Sequence, residues 1–564
     1  MKKSKAFPYI MGGVAAVAIL LCGWYLFCPA LNPKSIGLWI LINLSALAFT
    51  LVSRLIIGLR DHKRVADSKK KKRAHYASEA ADMIFSAKYH IVPIGIAALI
   101  LLLFVFSTTV FNATAYSEIM KVSEGDFNKD IAHSVGTDSI ALMDTSSAQM
   151  LGDREIGALS DVVSQFDVSE EYTQIDLKGR PIKVSALEYA GFFKWINNRD
   201  RGIGGYVTVD PVSMSATFNK CDGMIYSPSA FFNEDAYRYL RIKYPTVLFE
   251  NLHFEIDEEG KPYYIASVID KTIPLFGGKT VTGCIVLDPV SGETERLELE
   301  DIPKWIDVVF YGDLLCEQYN WHGMYQNGYF NSIFAKKGCK QVTTYYESEE
   351  EEESSDSTPV SDYGYIAKDG DIWIYTGITS VNGDSSNIGF LLANERTGES
   401  RYYSVSGADE KSAMAAAEGE VQEKGYQASF PSLINIEGHP TYIMVLKDSG
   451  GLVKLYATVN VEQYNIVTTA ATQAECIEKY KDVLGIDIDD ENKEPEKLTD
   501  VTVTIASVKY IDINGNTYIY VIDTEDNIFK AKACDHERML LLSEGDIVEI
   551  SHSEGNIVKC EKVG

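Results

Sequence analysis

The sequence predicts an α+β protein carried on a membrane anchor. Three observations lead there: three long apolar runs crowded into the first 111 residues, a strand–turn–strand phrase that recurs along the rest, and amphipathic helical stripes between the recurrences. At 564 residues a single core is not expected.

The apolar runs are 8–28 (PYIMGGVAAVAILLCGWYLFC), 36–57 (IGLWILINLSALAFTLVSRLII) and 91–111 (IVPIGIAALILLLFVFSTTVF). Each is about 21 residues, enough to cross a hydrocarbon core of about 30 Å. The sequence therefore predicts three transmembrane helices within 1–111. MKKSK and the basic loop 58–90, which contains RDHKRVADSKKKKR, are expected to stay cytoplasmic, leaving everything after Phe111 outside. No run holds a mid-membrane Asp, Glu, Lys or His, so an anchor is expected rather than a transport path. Gly12 and Ala16, four apart, allow a close helix approach.

Charge divides the chain in the same place. Residues 1–111 carry 14 Lys/Arg and 4 Asp/Glu; residues 112–564 carry 38 and 76. So acidic a body argues against nucleic acid as a partner, because phosphate binding needs cations. Nine cysteines occur, and the seven beyond the anchor (Cys221, Cys284, Cys316, Cys339, Cys476, Cys534 and Cys560) show no C-x-x-C spacing. They read as core thiols rather than a disulfide framework.

Beyond the anchor, the expected order is an α+β ectodomain of two units (112–345), an acidic linker (346–362), a further α+β unit (363–486), a second linker (487–499) and a small barrel (500–564). The first linker lies in YYESEEEEESSDSTPVSDYG, where self-repulsion opposes compaction. The second imitates an EF-hand at Asp487 and Asp489. Asn492 and Leu498 stand where the loop Gly and bidentate Glu are needed, so that match fails.

A Gly-x-Pro turn opens an extended run three times, at 179–181, 260–262 and 438–440. A strand–turn–strand piece also occurs three times, in GGYVTVDPVSMSATF (204–218), KTVTGCIVLDPVSGETERL (279–297) and GFLLANERTGESRYY (389–403). Between them SPSAFFNEDAYRYLRIKY (227–244) reads as a helix capped by Ser227, with Phe232, Ala236 and Tyr239 on one stripe. Other helices are expected near 152–166, 302–318, 407–424 and 471–484. Repeated helix-on-antiparallel-sheet modules follow.

This hairpin grammar resembles the PepSY-like family, through Tyr263, Tyr264 and the run Val286 to Glu293, and through Asn394, Thr397 and Gly398. The resemblance implies small extracytoplasmic modules that bind or restrain other proteins. The phrases IALMDTSSAQMLGDREIGALSDVVSQF (140–166) and EYAGFFKWINNR (188–199) also resemble uncharacterised multi-span membrane proteins of Gram-positive anaerobes. The tail reads as five short strands with a tight NGN turn at 514–516, similar to an OB-like or SH3-like barrel.

Catalytic signatures are sparse. His133, His253, His322, His439, His536 and His552 share no metal-ligand spacing, and no nucleophile or phosphate-loop motif occurs. Asp144, Asp153 and Glu155 are acids near a helix start, which the helix dipole explains. Asp384 and Asn387 in NGDSSN read as a turn. No catalytic, cofactor-binding or metal residue is assigned and no cofactor is expected. Paired tyrosines with a nearby tryptophan, namely Tyr263, Tyr264, Tyr402, Tyr403 and Trp373, form the candidate binding surface, since such rings suit protein or sugar contacts. The expected function is a membrane-anchored, extracytoplasmic, non-enzymatic binding or regulatory protein of the cell envelope, with envelope proteins or wall polymers as partners. Two alternatives stand beside it. One is a subunit of an envelope assembly or secretion complex. The other is a wall-directed hydrolase, for which Asp144, Asp153 or His322 would be the first residues to test.

Overall fold

A computed structural model describes residues 6–66, 89–131, 142–343, 363–381, 386–485, 499–513, 516–525, 527–532, 536–553 and 556–563. The expected linkers at 346–362 and 487–498, most of the basic loop, His133, Asp384, Cys534 and the 514–515 turn lie outside them. The chain forms two compact units, 1–486 and 487–564.

In the anchor, helices α1 (Phe7–Phe27) and α2 (Ile36–Ala66) each contain a stretch long and apolar enough to cross a membrane. They form a hairpin whose close approach depends on glycine. A Cβ on Gly12 would stand 2.1 Å from the Ser53 hydroxyl, and one on Gly23 would stand 2.5 Å from Leu41. The third apolar run differs from expectation. Helix α3 (Ile91–Phe106) bends by 45° into α4 (Thr109–Ser117), and this run makes a third span only if the bent pair counts as one. Polar side chains take the backbone at the break: Ser107 Oγ donates to the Leu103 carbonyl at 2.8 Å, and Asn112 Nδ2 donates to the carbonyls of Phe106 and Thr108.

The larger unit contains a four-stranded antiparallel meander repeated four times. The first comprises Thr173–Leu177, Arg180–Tyr189, Ile203–Asp210 and Ser215–Met224; the second Phe249–Ile256, Pro262–Ile273, Gly277–Leu287 and Thr294–Glu298. The third comprises Gly364–Lys368, Asp371–Ser380, Ser386–Asn394 and Ser400–Tyr403; the fourth Ser432–Ile436, His439–Lys447, Val453–Asn460 and Val467–Ala470. Strands are neighbours in chain order in every one. Short extra strands extend the edges, among them Val122–Glu124, parallel to Ser400–Tyr403.

The recurring phrases are the turns of these meanders. Lys178–Gly179, Asp369–Gly370 and Glu437–Gly438 hold consecutive left-handed residues in two-residue hairpins, and Asp257–Lys261 makes a longer loop at the same place. The later turn also repeats. Asp210, Asp288, Asn394 and Asp448 each accept two backbone N–H groups from the turn that follows. The sequence shows three of these units plainly; the fourth hairpin, at Asp369–Gly370, lacks the proline that marks the others.

One helix precedes each meander: α5 (Thr145–Gly157), α6 (Phe192–Asn198) being inserted within the first meander, then α7 (Ala236–Lys243), α8 (Gly312–Tyr325) and α9 (Glu410–Glu420); α10 (Gln473–Leu484) follows the last. Apolar clusters join sheet one to sheet two around Leu240, sheet two to sheet three around Leu315, and sheet three to sheet four around Ala413. Helix α5 closes the series. Its residues pack on sheet one, its cap Asp144 pairs with Lys447 of sheet four at 2.6 Å, and Met150 abuts Gly451. First strands touch between sheets one and two and between sheets three and four, and Thr173–Leu177 of the first sheet also meets Asp371–Ser380 of the third. The result is a four-bladed, propeller-like ring with a helix in each wedge.

Two boundaries need correction. Strands Lys340–Val342 and Gly364–Lys368 both pair with Asp371–Ser380, so the acidic stretch interrupts one unit instead of separating two domains. Helix α7 starts at Ala236, not near Ser227, because Asp235 supplies the cap by accepting Arg238 N at 2.7 Å; Ser227 is buried.

In the second unit, five strands between Thr499 and Lys562 pair in a closed order, with Ile519, Val521, Val548 and Ile550 in the interior.

Candidate ligand pocket between the apolar helices and the second sheet

Arg241 ties the anchor to the sheets. Helix α7 presents it to the α1–α2 turn, where it is 2 % exposed. Its Nε donates to the Cys28 carbonyl at 3.0 Å, Nη1 donates to the carbonyls of Val247 and Tyr244, and Nη2 donates to the Tyr237 hydroxyl. A buried guanidinium needs such acceptors on every side. Beside it, Leu31 N donates to the Pro245 carbonyl at 2.6 Å, Asn32 Nδ2 donates to Thr246 O at 3.0 Å, and Lys34 pairs with Asp270 at 2.6 Å.

Below this clamp lies a cavity of about 470 Å³. One wall is Ile19, Gly23 and Phe27 of α1 with Leu41 of α2; the facing wall is Leu248 and Ile269, at the second sheet. Glu250 and Lys271 also line it. The Glu250 carboxylate is taken by the Lys279 ammonium at 2.8 Å and the Tyr311 hydroxyl at 3.1 Å. Among the described residues, no hydrogen bond or ion pair is recorded for the Lys271 ammonium. Burial holds it below the usual lysine range; Glu250 opposes that shift and Lys279 adds to it. An apolar slot beside two bilayer-length helices, with a cation in its lining, is chemically matched to an amphiphile with an anionic head.

A second concentration of charge sits where the first strands meet. Glu255 is fully buried and satisfied: Oε1 accepts Val308 N and lies 2.8 Å from His253 Nε2, while Oε2 accepts Asp307 N. Asp307 Oδ2 accepts Asp176 N at 2.8 Å, whereas Asp307 Oδ1 and Glu395 Oε2 have no hydrogen-bond partner among the described residues. Burial, then the Glu255 charge, pushes the Asp307 and Glu395 carboxyls well above the ordinary carboxylate range. Burial brings the Lys183 ammonium down to about 8 against the pull of Asp144 and Glu395; it lies 5.0 Å from the Tyr365 ring centre. Among the described residues no three His, Cys, Asp or Glu side chains are arranged to hold a metal ion. This cluster joins three blades and acts as a structural hub.

The candidate binding surface requires correction. Tyr264, Tyr403 and Trp373 are 2 %, 1 % and 4 % exposed and belong to the core. Tyr263 is half-buried against Trp305, and Tyr402 is half-buried with its hydroxyl on Ile388 O. These rings lie within sheets covered on both faces, so period-two alternation does not bring them to solvent. The acids do not converge either. Asp144 caps α5 and is neutralised by Lys447, while Asp153, about 13 Å along that helix, lies in a separate cleft with Asp167 and Glu170. Glu155 is on the same helix. Burial first, then those two acids, raises the Asp153 carboxyl. His322 bridges α8 to the Ser117 carbonyl at 3.0 Å, far from both acids in sequence and role. Cys284 and Cys476 are buried, as core thiols would be. Sequence reasoning missed Arg241 and Lys271; for Arg241 the available signal was its spacing of three from Arg238 on a short helix, AYRYLRIK, that also carries Tyr237, Tyr239 and Leu240.

No protein-family model and no curated protein matches the sequence. Among solved structures, cobalt-substituted Synechocystis ACO is 8 % identical, with 71 % of this chain and 65 % of that chain covered at a TM-score of 0.13. An ACO/RPE65 chimera in a monoclinic crystal form is also 8 % identical, covers 71 % and 62 %, and has a TM-score of 0.12. Likeness at this level carries no argument about fold or function, and the chain spans less than two thirds of the length of either.

Proposed function

We propose that the protein is a membrane-anchored, extracytoplasmic, non-enzymatic binding protein of the cell envelope, and that its ligand is an amphiphile with an apolar chain and an anionic head. The observation that carries this reading is the cavity of about 470 Å³ built jointly by the apolar helices and the ectodomain, with Lys271 in its lining. Cation-rich MKKSK and the loop after α2 favour an inward N-terminus. The docked 28–35 turn then shares the outer side with the ectodomain. The bent α3–α4 pair is read as the third span, and the tail as an OB-like or SH3-like barrel that offers a protein or glycan surface. Envelope proteins or wall polymers remain the partners expected for the ring itself.

Native mass spectrometry of the full chain from gently solubilised membranes tests the ligand. An amphiphile is expected to co-purify, and Ile19→Trp, which narrows the slot from a partly exposed wall position, is expected to lose it while thermal stability stays within a few degrees. A folded, empty wild-type protein that binds neither fatty acid nor phospholipid on titration rules the reading out.

A further inference from the structure

The phrase FFKWINNR, with no role in the pocket, forms an exposed aromatic knuckle. Phe192 and Trp195 of α6 pack against Phe231 and Phe232, with ring centres 5.0 to 6.4 Å apart. Trp195 is buried beneath, and its indole N–H donates to Glu234 at 2.8 Å. The outer rings are bare: Phe193 is 77 % exposed and Phe232 54 %, with Ile196 and Phe192 exposed beside them. Phe232 has φ +56°, and it is the one aromatic residue among the described residues in the left-handed region. A bulky side chain is held there only when its surroundings impose it.

The surroundings are the outer end of α1. Arg238 donates from Nη1 to the Phe232 carbonyl at 2.7 Å and from Nε to the Tyr25 carbonyl at 3.1 Å. The Tyr25 hydroxyl donates to Asn233 at 3.0 Å. One guanidinium thus holds both the knuckle and the last turn of an apolar helix, and exposed Leu26 and Phe27 continue the apolar surface from that turn. Lys194 and Arg201 flank the rings in sequence, the arrangement that suits a headgroup layer, while Arg199 is paired with Glu234 beneath them.

We infer that Phe192, Phe193, Ile196 and Phe232 enter the phospholipid bilayer at its outer interface and seat this face of the ring against the membrane. The inference rests on the reading of α1 and α2 as spans, and is independent of the ligand in the pocket.

The test uses the full chain reconstituted in phosphatidylcholine vesicles with and without lipids brominated near the headgroup. Phe193→Trp is expected to add blue-shifted emission that the brominated lipid quenches at least twofold. Leu452→Trp, an exposed site on the fourth meander, should add emission that it does not quench. Equal quenching of the two variants overturns the inference. Blue-shifted emission that is unquenched and depends on protein concentration also overturns it, in favour of a second copy as occupant. Depth-resolved quenching of Trp24 and Trp39 in the parent protein tests the spans separately: if these are quenched and Phe193→Trp is not, only the knuckle is refuted.

Discussion

The Nε of Arg238 donates to the carbonyl of Tyr25 at 3.1 Å, joining residues 213 apart in sequence. With Arg241 on the Cys28 carbonyl, it makes the membrane hairpin and the ring one mechanical piece. Arg241→Ala leaves several buried carbonyls without donors, each worth about 1–3 kcal/mol. We expect a loss of about 3 kcal/mol in denaturant unfolding of the detergent-solubilised protein, with Arg241→Lys and Arg238→Ala both costing less. Equal, small effects for all three would show that the clamp does not bear load.

Stability should respond to pH in two opposite windows. Asp307 and Glu395 have folded-state values well above their unfolded ones, so their contribution is complete below about pH 4 and is lost as pH rises towards the folded values. Lys183 is depressed to about 8, so the unfolded chain holds more protons between about pH 8 and 10.5, and stability recovers there as pH rises. Melting curves across pH should show the acid-side fall shrink in Glu395→Gln and the alkaline recovery vanish in Lys183→Met. Lys183→Met should also melt no lower than the parent at neutral pH, because it removes a charge that burial disfavours.

The four matching turn caps should not be energetically equal. Asn394 also donates from Nδ2 to Asp371 at 2.8 Å inside the core, whereas Asp448 lies at an exposed turn. Asn394→Ala is expected to cost about 2 kcal/mol and Asp448→Ala about 0.5, with Asp210→Ala and Asp288→Ala between them. Urea midpoints measured on the four variants check the order.

A protease site placed within 346–362 should cut the chain without releasing two domains. Lys340–Val342 and Gly364–Lys368 lie on one sheet through Asp371–Ser380, so the fragments are expected to co-elute in native gel filtration and separate only in denaturant. Fragments that part under native conditions would restore the linker interpretation.

Local chemistry was legible in the sequence and register was not. The Asp and Gly of DPVSG make their turn through contacts within five residues, so the phrase is read correctly wherever it falls. The Asp369–Gly370 hairpin uses the same left-handed pair but has no proline, and it passed unnoticed. Ser227 looked like a helix cap because Pro228 follows it; Asp235 won because its carboxylate reaches Arg238 N. Tyr264 and Tyr403 looked like a surface because tyrosine is amphipathic, yet blades stacked on both faces leave them none. Lys183, Glu255, Asp307 and Glu395 come together only through the ring, and no spacing in the chain foretells it.

Helix α5 opens the ring, yet its cap Asp144 is neutralised by Lys447, about 300 residues later and in the last meander. Strand Val122–Glu124 waits in the same way for Ser400–Tyr403. During synthesis α5 can pack on sheet one early, but its cap waits for Lys447 and the strand waits for Ser400–Tyr403, so closure is a late, long-range event. A shortened chain that stops before residue 447 would carry an unclosed seam, with a half-buried carboxylate and an open sheet edge inviting proteolysis or pairing with a neighbour.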